Sequence, residues 1–164
     1  MSAKNLASEI PQGILNFVHK VHQEKKKLIF VTGTFDVLHF EHKRFLKKAK
    51  AAGDYLLVGL ESDKRVKQTK GEARPVNRAL TRLKNLKKLK IADEVFILPE
   101  EFSDSQQHEE LLKIIRPAVL AVSSHSPFLA KKKQLLKKIN GRVIVVHEFN
   151  PNVSTSKLIR KMEL

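Results

Sequence analysis

The chain has 164 residues, the size of one domain at a prior of about 150 residues each. Lys and Arg number 32 against 17 Asp and Glu, a net charge of +15, yet 41% of residues are apolar, which describes a globular protein with a basic surface and not a disordered polycation. Cysteine is absent, excluding a disulfide framework, thiolate zinc sites, iron–sulfur clusters and cysteine nucleophiles, and no apolar run approaches the roughly 18 residues of a membrane helix. The N-terminus lacks a signal-peptide core, so a cytoplasmic protein is expected. Charge of this sign attracts polyanions without specifying which.

Pro11 opens a stretch in which Ile14, Val18 and Val21 recur at helical spacing, predicting an amphipathic helix from Pro11 to Glu24. Leu28 to Val31 is a short apolar run without polar alternation, as expected of a strand buried on both faces. Helical pattern then fills His39 to Ala52, and Tyr55 to Leu60 reads as a strand. Leu80, Leu83, Leu86 and Leu89 mark a helix with lysines between them. Val95 to Leu98, Val119 to Val122 and Val143 to Val146 are further strands, separated by helical patterns at Gln106 to Ile115 and Phe128 to Ile139. Gly53 and Gly141 fall just after helices, where a left-handed cap is expected. This alternation demands crossover connections. It predicts an α/β fold with a parallel sheet of about five strands, helices on both faces, and ligands bound beyond the carboxyl ends of the strands. The expected organisation is an N-terminal amphipathic helix within residues 1–27 packed on a domain over 28–164.

Thr32-Gly33-Thr34-Phe35-Asp36 follows the first strand, and His39-Phe40-Glu41-His42 opens the next helix. A glycine at a strand end lets backbone approach a ligand, and free amides at a helix start bind phosphate. Histidines three apart share a helix face and can reach one polyphosphate, although such a pair alone is more often a surface or capping feature, and a zinc site would need a third ligand. Ser154, Thr155 and Ser156 precede an apolar helical stretch, where hydroxyls cap the helix. Lys70 and Arg74 fall in a Gly- and Pro-punctuated segment, read as a loop that aims charge across a cleft.

These residues together resemble the cytidylyltransferase-like nucleotidyltransferases, whose signature is a strand, then G-T/C-F-D-x-x-H-x-G-H, then a helix. Lys70-Gly71-Glu72-Ala73-Arg74-Pro75-Val76-Asn77 resembles the family's K-G-x-x-R-P-I/V-N segment, with Arg82 at its later arginine. Ala92-Asp93-Glu94-Val95 resembles the V-D-x-V strand entry, Arg116-Pro117 the R-P-D-V turn, and Ser154 to Ile159 the S-T-S/T-x-I/L-I helix start. The resemblance runs in order from Leu28 to Met162 and is nearest to the nucleotidyltransferase domain of ADP-heptose synthase and to glycerol-3-phosphate cytidylyltransferase. There are two departures. Glu41 stands where the motif has glycine and is expected to turn outward or pair with a lysine such as Lys43, and Ser123-Ser124-His125-Ser126 replaces a K-G-G-D-Y-like segment.

The resemblance implies a Rossmann-like fold and transfer of a nucleotidyl group from ATP or CTP to a phosphorylated sugar or polyol, with release of pyrophosphate (an EC 2.7.7-type enzyme). Positioning two anions and neutralising developing charge is then the protein's task. On that reading His39, His42 and Lys70 are catalytic, the histidines donating to the α- and β-phosphates. Thr32, Gly33, Thr34 and Phe35 join them in nucleotide binding, Phe35 with an equal claim to be a core residue. Ser154, Thr155 and Ser156 bind the β- and γ-phosphates while capping. Arg74, Arg82 and Asp36 fall on the acceptor side, Asp36 as a loop-fixing carboxylate and not an acid or base. Mg2+ is expected as a passenger of the triphosphate. No protein metal site is expected, and His108, His125 and His147 are scattered, although His125 lies where a ligand can be reached. A homodimer is left open, and no membrane partner is expected. The alternative is a catalytically degenerate nucleotide- or RNA-binding protein of the same fold, motivated by the two departures and weakened by the scarcity of aromatic side chains for base stacking, with one Tyr and no Trp.

Overall fold

A computed structural model describes residues 5–102, 104–147 and 152–162. The elements run α1 (Leu6–Glu9), α2 (Gln12–Gln23), β1 (Leu28–Gly33), α3 (Phe40–Ala51), β2 (Tyr55–Leu60), α4 (Asp63–Lys70), α5 (Ala79–Lys88), β3 (Glu94–Ile97), α6 (Ser105–Ile115), β4 (Val119–Ser123), α7 (Leu129–Lys138), β5 (Arg142–His147) and α8 (Thr155–Met162). Five parallel strands form one sheet in the order β3-β2-β1-β4-β5, the Rossmann-like arrangement that the alternation of patterns predicts. Strand order reverses between β1 and β4, which opens a crevice at their carboxyl ends.

The central strand explains the absence of alternation in its sequence. Leu28, Ile29, Phe30 and Val31 are all at most 1% exposed, because successive side chains enter two different cores. Leu28 and Phe30 meet Leu6, Ile10, Ile14, Val18 and Val21 of the N-terminal segment together with Leu111, Leu112 and Leu136 of α6 and α7. Ile29 and Val31 meet Leu46 and Ala49 of α3 and Leu86 of α5. Asp93 aligns β3 with β2: its backbone N–H donates to Leu56 O at 2.9 Å while its carboxylate accepts from Leu56 N at 2.7 Å.

Three local expectations are corrected. Gly53 and Gly141 are not in the left-handed region; at the end of α7 it is taken by Asn140 (φ 59°), just before Gly141, whereas α3 ends on a right-handed Ala52 before Gly53. Both glycines are instead places of close approach. A Cβ on Gly53 would lie 2.5 Å from Ile29 Cδ1, and one on Gly141 2.6 Å from Pro117 O. In α5 the buried stripe is Ala79, Arg82 and Leu86, leaving Leu80 67% exposed. The segment ending at Lys70 is helix α4 and not loop; Ser62 caps it by accepting from Arg65 N at 3.1 Å, and Gly71 leaves it at φ 102°. No helix among the described residues is long and apolar enough to cross a membrane.

Candidate active site

The turn after β1 is held by a buried knot of charge. Asp36, 1% exposed, accepts from Arg74 Nε at 3.0 Å and Val76 N at 2.8 Å on one oxygen and from Asn77 N at 2.8 Å on the other. Asn77 Nδ2 returns a bond to Asp36 O at 2.9 Å. Arg82, fully buried, spends its guanidinium on Asn77 O at 3.0 Å, Thr34 O at 2.8 Å and Asp63 Oδ1 at 2.8 Å. Asp36, Arg74 and Arg82 thus come together behind the loop and do not line the cavity. Arg74 alone reaches forward, donating to Ser156 Oγ at 3.2 Å at the start of α8, with its other terminal nitrogen buried and unpartnered.

In front of the knot a cavity of about 820 Å³ opens over the carboxyl ends of the strands. Thr32, Gly33, Thr34, Phe35, His39, His42, Lys70, Ser154 and Ser156 all line it. His39 occupies the N-cap position of α3 in an extended conformation, so the helix begins at Phe40, one residue after its predicted start at His39. Its ring stacks on that of His42 with centroids 3.8 Å apart. Phe35 is a core residue that also lines the cavity: it is 6% exposed, packs edge-on against His42 at 5.3 Å, and holds the strained φ of 48° that turns the loop. Ser154 accepts from Lys157 N at 3.1 Å, the bond of an N-cap, so the amides at the start of α8 face the same cavity. Thr155 opens α8, and its side chain lies outside the described residues.

The electrostatics of the cradle follow from burial. Burial pushes the His42 imidazole down from 6.5 to about 3, with His39 and the Lys70 ammonium adding to the fall and the Val37 backbone opposing it. His39 is lowered by burial against the pull of Glu41, and Lys70 is lowered by burial and then by the Arg74 guanidinium. The Nδ1 atoms of both imidazoles are buried without a hydrogen-bond partner. An anion entering here meets donors that gain charge as it arrives, because an opposite charge raises an imidazole pKa.

Glu41 neither turns outward nor pairs with Lys43. It is 7% exposed and bonds His147 Nε2 at the end of β5 and Arg44 Nη1 at 3.3 Å. The carboxylate at the motif's glycine position is therefore tied into the cavity wall. His147 is missed by sequence reasoning because nothing local links it to a residue 106 positions away. Glu61 is missed for the same reason: only the pairing of β1 with β2, continued by Glu61 N donating to Gly33 O at 3.0 Å, brings it to the cavity. His125 and His108 also line the cavity. Among the described residues no group of three or more His, Asp or Glu is placed to hold a metal ion.

The fold and the cavity define an α/β domain with a cavity lined by two imidazoles, a lysine and helix-start hydroxyls at its switch point. The chain belongs to the cytidylyltransferase-like family of nucleotidyltransferases, whose pattern matches residues 30–161. It is 35% identical over 142 residues to the bifunctional protein HldE of Campylobacter jejuni strain RM1221, covering 86% of this chain and 29% of the relative. It is 42% identical over 101 residues to HldE of Aliarcobacter butzleri, covering 62% of this chain and 20% of the relative. The chain thus spans about three-tenths or less of these relatives. Among solved structures it resembles the lipopolysaccharide core biosynthesis protein of Thermoplasma volcanium, with TM-score 0.61 and 24% identity over 76% of this chain and 97% of that one. It also resembles the pantoate-beta-alanine ligase of Francisella tularensis, with TM-score 0.58 and 18% identity over 91% of this chain and 75% of that one. At these identities the two structures speak for the fold.

Proposed function

We propose that the protein transfers a nucleotidyl group from ATP or CTP to a phosphorylated sugar or polyol. An oxygen of the acceptor phosphate bonds to the α-phosphorus, the bond from that phosphorus to the bridging oxygen of the β-phosphate breaks, and pyrophosphate leaves. The reading rests on family membership and above all on one observation: His39, His42, Lys70, Ser154 and Ser156, from three separate segments, line one cavity beyond the strand ends. His39 and His42 donate to the triphosphate, Lys70 neutralises charge on the transferred group, and the loop from Thr32 to Phe35 with the start of α8 holds the remaining phosphates. Thr155 is placed with its neighbours by the motif. Arg74 positions Ser156, whereas Arg82 and Asp36 act through the loop they hold. Mg2+ travels with the triphosphate, which together with water supplies its oxygen ligands. Residues 28–164 form the transferase unit, with the preceding helices packed upon it.

Incubation with each nucleoside triphosphate, Mg2+ and a panel of sugar and polyol phosphates should release pyrophosphate with one donor preferred. Silence across the panel from folded protein overturns the proposal. If such a silent chain binds RNA with steeply salt-dependent affinity, the degenerate binding reading replaces it.

A further inference from the structure

The cavity carries further polar lining that shares Lys70 with the triphosphate cradle and is otherwise not used by it. Glu61, at the carboxyl end of β2, lines it with Arg65 and Lys70 of α4, and Asp104, Ser105 and His108 line it from the start of α6. His108 is fixed there, its Nδ1 bonded to Asp104 O at 2.7 Å and its ring against Phe102 at 4.3 Å between centroids. The Oε2 atom of Glu61 is buried and has no hydrogen-bond partner. An unpartnered buried carboxyl oxygen is unfavourable by itself, and beside a site for phosphates it repels the ligand as well. It is compatible with the site only if a ligand brings hydrogen-bond donors to it.

We infer that Glu61 is the specificity-determining residue of the acceptor subsite, taking the hydroxyl groups of a polyol or sugar phosphate whose phosphate rests on Arg65 and Lys70. The inference rests on the transferase reading for the direction in which that phosphate points. Three features select hydroxyls over an ammonium. Arg65, Arg82 and Lys70 already place positive charge near the carboxyl, which repels another cation. Burial raises the Glu61 pKa against those neighbours, which favours sharing protons with hydroxyls over a full ion pair. Phe30, Leu111 and Leu112 also line the cavity, and their apolar surface suits the carbon face of a polyol.

The test compares wild type, Glu61→Gln and Glu61→Ala by calorimetry. Each is titrated with a non-hydrolysable triphosphate analogue and Mg2+, and the loaded protein then receives glycerol 3-phosphate, hexose phosphates, phosphoethanolamine or inorganic phosphate. Wild type should prefer a hydroxylated phosphate, and Glu61→Ala should weaken that ligand by about 10- to 100-fold while changing analogue affinity by less than about twofold. Glu61→Gln, isosteric, should fall between them. Overturning results are equal loss of both ligands, no change for the hydroxylated phosphate, preference for phosphoethanolamine, or no binding of any polyol or sugar phosphate. A chain that binds such a phosphate through Glu61 without releasing pyrophosphate keeps the subsite and loses the transferase. One that releases pyrophosphate with kinetics indifferent to Glu61→Ala does the opposite.

Discussion

Two clusters of charge stand back to back on the turn after β1, and they are built in opposite ways. In the knot behind the turn both Asp36 carboxylate oxygens accept bonds, and each nitrogen of the Arg82 guanidinium donates one. In the cradle before it the imidazoles stack without hydrogen-bond partners for their buried Nδ1 atoms, and the buried Oε2 of Glu61 in the same cavity has none either. Burial is common to both, but the use of it differs. A buried network whose members are paired, here all but one terminal nitrogen of Arg74, rigidifies the backbone, whereas buried groups left without partners are energy held for a ligand. Substitution behind the turn should therefore be felt first in stability, and substitution in front of it first in chemistry.

The largest effect that would break this division is at Asp36. Asp36→Ala strands Arg74 and two backbone amides, and urea unfolding should show a loss of about 3–5 kcal/mol. A loss below about 1 kcal/mol would show that water replaces the carboxylate and that the knot is not structural. His42→Ala should retain the far-ultraviolet circular dichroism and lose about 10²–10³ in turnover, the usual effect of one missing transition-state donor. Unchanged turnover would move His42 to the structural side.

Protons sharpen the contrast. Because the cradle imidazoles are held neutral, binding a triphosphate between about pH 3 and 6.5 should draw protons onto them. Calorimetry in two buffers of different ionisation heat should then give different apparent enthalpies, and identical values would refute uptake. The same depression makes stability depend on acid. The unfolded chain binds more protons across this window, so the contribution of His42 is complete above about 6.5 and is lost as pH falls toward about 3. His42→Gln should flatten the acid limb of the stability profile over that window, whereas an unaltered limb would assign it to carboxylates. The smallest effect belongs to neither cluster. Leu80→Gln, on the exposed side of α5, should change stability by less than about 0.5 kcal/mol.

The strands are legible in sequence because burial on both faces leaves compact apolar runs, and Tyr55–Leu60 falls where its run predicts. Helix α4 is not, since Val66 is its only buried residue and one apolar side chain sets no period. The cradle is visible because its parts lie in short contiguous motifs. The walls around it are not, because Glu61 and His147 enter through strand pairing and contacts between distant segments, which no local pattern encodes. Arg82 shows a subtler limit. Its charge suggests a ligand, while its spacing from Ala79 and Leu86 places it on the buried stripe, and the spacing decides.

The bond between Glu41 and His147 has a consequence for descent. If an ancestor carried the motif's glycine, the two present side chains did not arrive independently: an acid alone at the head of α3 would have faced the incoming anion undefended, and an imidazole alone at the tip of β5 would have faced an empty slot. Homologues should then vary at these two positions in step, glycine travelling with one set of residues at the strand tip and glutamate with another.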